Sequence, residues 1–294
     1  MIRSLLVTAM LGVLCAKAPA AEDITVVPRI EGDWWTVAHN PDLGACTSDR
    51  QQPVDFAVWQ AADGVWQLWS CIRFTRLGGH TRLFYRWEGK NLTDHDWEPG
   101  GIAMEADPAL GEPPGGLQAP HVVRWNGLYH MAYGDWDHLC FATSEDGKRF
   151  TRRILANGQT GVFTEGPGQN TRDPVLLFTR NRWHLYYTAF PRGKGYVFCR
   201  TSADLHDWSD SMIVAYGGRA GNHPFSCECP HVVETEPGLY HLFRTQMYGE
   251  GAQTSVYQSR NPYHFGIDDD HGFVCTLPVA APEIILHDGQ YYIA

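Results

Sequence analysis

Asp55, Asp173 and Glu228 each open an apolar run. Asp55 leads Phe56-Ala57-Val58-Trp59, Asp173 leads Pro174-Val175-Leu176-Leu177, and Glu228 precedes Cys229-Pro230-His231-Val232-Val233. Brought together, three such carboxylates suit the cleavage of a glycosidic bond. One must be protonated to donate to the leaving oxygen, and another ionised to attack carbon or activate water. Repulsion and burial push their pKa values apart, so one pocket can hold both forms near neutral pH. Taken singly, an acid at a strand start does no more than bond turn amides. It is the recurrence at matching places that turns the three into a candidate site.

The elements that would unite them form an internal repeat. Five segments share a layout of polar start, apolar run, turn and aromatic-rich run, beginning at Asp55, Ala119, Asp173, Cys229 and Ala281, so successive starts fall 52 to 64 residues apart. The turns carry Asp63-Gly64, Asn126-Gly127, Asn181, Pro237-Gly238 and Asp288-Gly289, the pattern of a β-hairpin. A second echo follows the first four hairpins: Leu92-Thr93-Asp94 to Trp97, Ser144-Glu145-Asp146 to Phe150, Ser202-Ala203-Asp204 to Trp208, and Arg260-Asn261-Pro262 to Phe265. It reads as a third strand, a polar turn and an aromatic plug before a fourth strand. Four strands in each of five units predict an all-β, five-bladed propeller, whose first strands line a central channel. A β-sandwich with chance similarity is the alternative. The chain stops on the apolar Tyr292-Ile293-Ala294, so the last blade is either closed by the segment from Ile24 to Val37 or left incomplete.

The 294 residues, 44% apolar and 19% charged, describe a globular chain, and 11 Trp with 30 Gly suit a turn-rich β fold over a helical bundle. The net charge of −10 argues against binding a phosphate backbone, so nucleic acid is not an expected partner. Residues 1–20 read as a secretory leader, with Arg3 in the basic start, Leu5 to Ala16 apolar, and Ala18-Pro19-Ala20 as small residues for cleavage. That run is too short to span a bilayer as a helix. The expectation is a secreted or periplasmic protein without a membrane span, residues 21–294 forming one propeller domain. Seven cysteines follow the leader with no Cys-x-x-Cys pair, which speaks for buried small hydrophobes with room for one disulfide rather than a zinc finger.

Secondary candidates cluster around the blade starts. Arg172, beside Asp173, suits a sugar hydroxyl or holds the carboxylate ionised. Gln52 and Gln118 precede blade starts and suit hydroxyl recognition, and Trp59 and Trp136 suit stacking on a sugar face. One step deeper, the residue after Pro is His121, His231 and Glu283 in blades two, four and five. Period-two geometry turns these toward the channel, as a polar plug or a cation site.

Arg172-Asp173-Pro174 and Glu228-Cys229-Pro230 resemble the R-D-P and E-C-P motifs of glycoside hydrolase family 32, the β-fructosidases. The stretch Ser202-Ala203-Asp204-Leu205 to Trp208 is similar to the related family 43 arabinanases and xylosidases. The resemblance covers roughly residues 50–294. It implies a five-bladed propeller hydrolase in which Asp173 stabilises the transition state, Glu228 is the acid/base, and Asp55 is nucleophile or general base. Around Asp55 the chain has Gln52-Pro53-Val54-Asp55-Phe56-Ala57-Val58 where family 32 has W-M-N-D-P-N-G. The nearer fit is the looser Asp start of family 43, which leaves retention or inversion open. Some family 43 relatives also imply a structural calcium in the channel; no other cofactor is expected. The expected function is an exported glycosidase acting on a furanoside, fructoside, xyloside or arabinoside linkage of an oligo- or polysaccharide. The alternatives are a carbohydrate-binding propeller with impaired catalysis, and a glycosyl transferase or phosphorylase on the same scaffold.

Overall fold

The computed structural model describes residues 2–9 and 25–294. Most of the leader, including Cys15 and Ala18-Pro19-Ala20, lies outside the described residues. The described strands are β1 (Ile2–Ala9), β2 (Val26–Trp35), β3 (Gln52–Gln60), β4 (Trp66–Arg73), β5 (Leu83–Gly89), β6 (Glu98–Met104), β7 (Gln118–Trp125), β8 (Leu128–Gly134), β9 (Leu139–Ser144) and β10 (Thr151–Arg152). The second half adds β11 (Arg172–Thr179), β12 (Arg182–Ala189), β13 (Tyr196–Ser202), β14 (Met212–Ala215), β15 (Glu228–Glu236), β16 (Leu239–Met247), β17 (Gln253–Ser259), β18 (Phe273–Leu277), β19 (Ile284–His287) and β20 (Gln290–Ile293).

Four blades are contiguous in sequence, each a four-stranded antiparallel meander: β3–β6, β7–β10, β11–β14 and β15–β18. The fifth sheet is composite, in the order β19-β20-β1-β2. β2, from the segment expected to close the ring, takes the outer edge of this sheet and reaches β20 only through β1. Ile2–Ala9, within the stretch that reads as a leader, pairs between β20 and β2.

Closure is visible in the core. Five buried clusters sit one at each blade interface. Trp59 and Trp69 meet Tyr129 and Tyr133 between blades one and two. Phe141 meets Trp183 and Tyr187 between two and three, and Tyr186 meets Tyr240 and Tyr257 between three and four. Phe243 and Val256 meet Ile284 and Ile293 between four and five, and Ile285 meets Trp66, Leu68 and Trp87 between five and one. Sheets stacked face to face need large flat fillers, which is where the aromatic content goes.

The turn-and-plug echo is real structure. Asp204 Oδ1 accepts the His206 and Asp207 amides at 2.8 and 2.9 Å, and the Ser202 hydroxyl. Those bonds hold its carboxyl at about 2, below the ordinary value. Asp146 repeats the arrangement with the Lys148 and Arg149 amides. The chain then drops an aromatic between blades: Phe150 against Trp69, ring centres 5.3 Å apart, and Trp208 stacked on Phe141 at 5.6 Å. All seven described cysteines are free thiols, four of them buried, so none forms the disulfide that the sequence left room for.

Trp69, 1% exposed, anchors the first interface. Replacing it with Ala should cost about 3–5 kcal/mol in urea denaturation, the range for emptying a buried aromatic site. A loss below about 1 kcal/mol would contradict that packing.

Candidate active site

The innermost strands β3, β7, β11, β15 and β19 surround one channel. Each begins with the same distortion. Asp55, Ala119, Asp173, Cys229 and Ala281 all have positive φ, between 37° and 56°, in the left-handed region that non-glycine residues rarely adopt. In the first four the ladder slips by one residue at that point, Val54/Phe56, Gln118/His121, Arg172/Val175 and Glu228/His231, which is a β-bulge. Alternation is broken there, so two successive residues of one strand can face the same opening. Asp173 and Arg172 both line the mouth, as do Cys229 and Glu228. Glu228 sits one residue out of phase with Asp55 and Asp173, and the bulge is the local kink its orientation requires.

The mouth opens into a cavity of about 830 Å³ that holds all three carboxylates. Cys229 is the hub. Its backbone amide donates to Asp173 Oδ2 at 3.0 Å, and its Sγ lies 3.4 Å from Asp55 Oδ1 and 3.7 Å from Asp173 Oδ2. The two aspartates' nearest oxygens are thus no more than about 7 Å apart, close enough to interact through the shared thiol. Arg172, 3% exposed, ties the remaining pair. Its Nε is 3.5 Å from Asp173 Oδ2, its Nη2 donates to Glu228 Oε1, and its Nη1 donates to the Asn170 carbonyl at 2.9 Å. Arg82 Nη1 stands 3.8 Å from Asp55 Oδ2, and its guanidinium lies over the Trp136 ring at 5.2 Å. His80 stacks on Trp136 at 3.8 Å. Trp136 is thereby held flat at the cavity wall.

Burial is the largest influence on all three acids, and it raises every one of their pKa values. Arg82 pulls back on Asp55, and Arg172 on Asp173 and Glu228, while the carboxylates raise one another. Burial works against the charge on Arg172, but Asp173 and Glu228 outweigh it and hold the guanidinium protonated. The Cys229 thiol is pushed well up, by burial and then by Asp173 and Asp55, so it remains a neutral thiol. Tyr248, whose hydroxyl is 3.6 Å from Cys229 Sγ, is likewise held as a neutral phenol, by burial first.

Among the other residues singled out in the sequence, Arg172, Gln118 and Trp136 line this cavity. Gln52 does not; its Oε1 accepts from Arg73 Nη2 at 2.7 Å, and it is Arg73 that lines the wall. Trp59 is a correction: it is buried in the first interface, its Nε1 donating to the Gly147 carbonyl at 2.8 Å, because its position four residues past the bulge carries it away from the mouth. His121, His231 and Glu283 do meet, around the other cavity of the channel. Sequence reasoning missed Arg82, Phe190, Phe225 and Tyr248, which reach the cavity from connections between strands. Cys229 had a usable signal: it opens its repeat where Asp55 and Asp173 open theirs.

The fold is a five-bladed propeller, an architecture that solved glycosidases share. No family model matches the chain. It is 22% identical over 190 residues to a probable sucrose-6-phosphate hydrolase of Vibrio cholerae, across 62% of this chain and 30% of that protein. The chain therefore spans about 30% of the length of that curated relative. An endo-arabinase from Bacteroides thetaiotaomicron superposes with a TM-score of 0.61 at 13% identity, over 89% of this chain and 92% of its own. A GH32 beta-fructofuranosidase from Bombyx mori gives 0.58 at 18% identity, over 82% and 53%. An exo-1,5-alpha-L-arabinanase from a bovine ruminal metagenomic library gives 0.59 at 16%, over 86% and 89%. At such identities these likenesses establish the fold.

Removing Arg172 should show how far the carboxylates depend on it. Arg172→Ala should destabilise the protein by about 3–5 kcal/mol at neutral pH, the cost of leaving a buried charge unpaired. The cost should shrink as pH falls, because Asp173 and Glu228, their pKa values already raised, take up protons and no longer need the cation. Urea denaturation at several pH values measures this. An unchanged cost at low pH would contradict the pairing.

Proposed function

We propose that the chain is a glycosidase acting on a furanoside- or xyloside-type linkage, with the Asp55, Asp173 and Glu228 trio as its catalytic groups. The observation that carries this reading is that Asp55 and Asp173 meet at Cys229 while Arg172 joins Asp173 to Glu228, all at the mouth of a cavity wide enough for a sugar unit. Glu228 serves as the general acid. Burial and the neighbouring Asp173 raise its pKa against the pull of Arg172 and Tyr248, which keeps proton donation within reach of neutral pH. Asp55, on the opposite side of Cys229 and facing Arg82, is the nucleophile or the base that activates water. Asp173, fixed by the Cys229 amide and by Arg172, holds its charge beside the bond being broken and stabilises the positive charge developing on the sugar. Trp136, Phe190, Phe225 and Tyr248 line the cavity wall and give it apolar surface suited to a sugar.

An exported protein is supported by the leader pattern at residues 1–20. Cleavage after Ala20 would remove β1 from the fifth sheet, and N-terminal sequencing of protein recovered outside the cytoplasm reads this directly.

Purified protein tested against arabinan, xylan, fructan and aryl glycosides should release sugar from at least one. Glu228→Gln and Asp55→Asn should each lower turnover by about 10²–10⁴-fold with an unchanged circular dichroism spectrum. Near-normal turnover in either variant defeats the assignment. Saturable sugar binding without product would favour a binding propeller.

The pH–rate profile should be bell-shaped. Its acid limb follows ionisation of Asp55 and its alkaline limb deprotonation of Glu228, both displaced above ordinary carboxylate values because burial raises both groups. Glu228→Gln should abolish the alkaline limb in whatever activity remains.

A further inference from the structure

His121, His231 and Glu283 lie two residues beyond the left-handed positions of blades two, four and five, one layer beneath the carboxylates. One ligand atom from each lies within 4.8 Å of the other two. They line a cavity of about 350 Å³ in the channel, whose remaining walls are largely apolar, among them Val122, Val175, Val232 and Ile284.

His231 shows that the three do more than pack. Its Nδ1 is buried without a hydrogen-bond partner, yet it stands 3.3 Å from Glu283 Oε2, and the His231 side chain is only 6% exposed. A buried nitrogen left in that state is destabilising unless a ligand satisfies it. Two ligands held at 2.0–2.1 Å around a tetrahedral ion stand about 3.3–3.4 Å apart. The 3.3 Å separation matches the edge of such a tetrahedron.

The chemistry of the donors selects the ion. Calcium, which the family resemblance implies, takes six to eight oxygen ligands, and two imidazoles with one carboxylate between apolar walls do not supply them. Imidazole suits borderline transition-metal ions. We propose that His231, Glu283 and His121 bind a zinc-class divalent cation that ties blades two, four and five together beneath the active site. His121 faces His231 across the cavity, ring centres 5.9 Å apart. Its Nδ1 accepts the Leu176 amide at 3.2 Å, so it joins by releasing that long bond. His231 and Glu283 are the primary pair and His121 the third ligand. This assignment stands apart from the glycosidase reading, since it needs neither Asp55 nor Glu228.

The test uses the full chain, stripped with a strong chelator, reloaded with zinc or cobalt, desalted and assayed by elemental analysis. One zinc per chain is expected, with a higher melting temperature than the stripped protein. Cobalt-loaded protein should show the visible bands of a four-coordinate site. Glu283→Gln and His231→Gln should lose the ion with circular dichroism unchanged, and His121→Gln should weaken binding by about 10–100-fold. If His231→Gln does not fold, Glu283→Gln, which leaves both rings intact, decides alone. Folded wild type that retains neither zinc nor cobalt overturns the proposal. So does retention undiminished in Glu283→Gln, or calcium retained in preference to zinc.

Discussion

The left-handed residue at the head of each inner strand is the constraint on which the site depends. In an undistorted strand successive side chains alternate, so Arg172 and Asp173 would face opposite sides, as would Glu228 and Cys229. One extra residue per strand lets pairs of neighbours share the mouth. Holding a non-glycine residue at positive φ costs about 1–3 kcal/mol each time, and the fold meets that cost at five places. Asp55, Asp173 and Cys229 are thereby brought onto one ring around the axis, with Arg172 and Glu228 on the ring above it.

Electrostatics then sets a compromise. Three buried carboxylates in one cavity repel each other and lose hydration, and the structure answers with two guanidiniums rather than three. The balance leaves all three acids with raised pKa values. That is poor for stability at neutral pH, since a raised carboxyl pKa means protection that fades as pH climbs. It is good for chemistry that needs one acid protonated beside one ionised. Cys229, small and held neutral between the two aspartates, keeps them apart without adding charge.

The ring itself rests on five aromatic-rich interfaces and on a composite fifth sheet. Each interface buries large side chains from two neighbouring blades. Because the first strands all border one channel, packing at the periphery fixes the distances at its centre. Strands drawn from both ends of the chain complete the circle.

Much of this was legible in the residues. The repeat of apolar run, x-Gly turn and aromatic run fixes hairpins, because turn chemistry and period-two alternation are local properties. The same locality made the stretches holding Asp204 and Asp146 readable as polar turns, and it placed Asp55, Asp173 and Glu228 at blade starts. Convergence of the three, the direction of Glu228, and the exclusion of Trp59 from the cavity were decided only in three dimensions. A bulge shifts the facing of side chains by one residue without leaving a mark in composition. Arg82, Phe190, Phe225 and Tyr248 escaped for a related reason: they reach the cavity from connections whose approach is set by packing between blades, and contacts between residues far apart in the chain have no local signature.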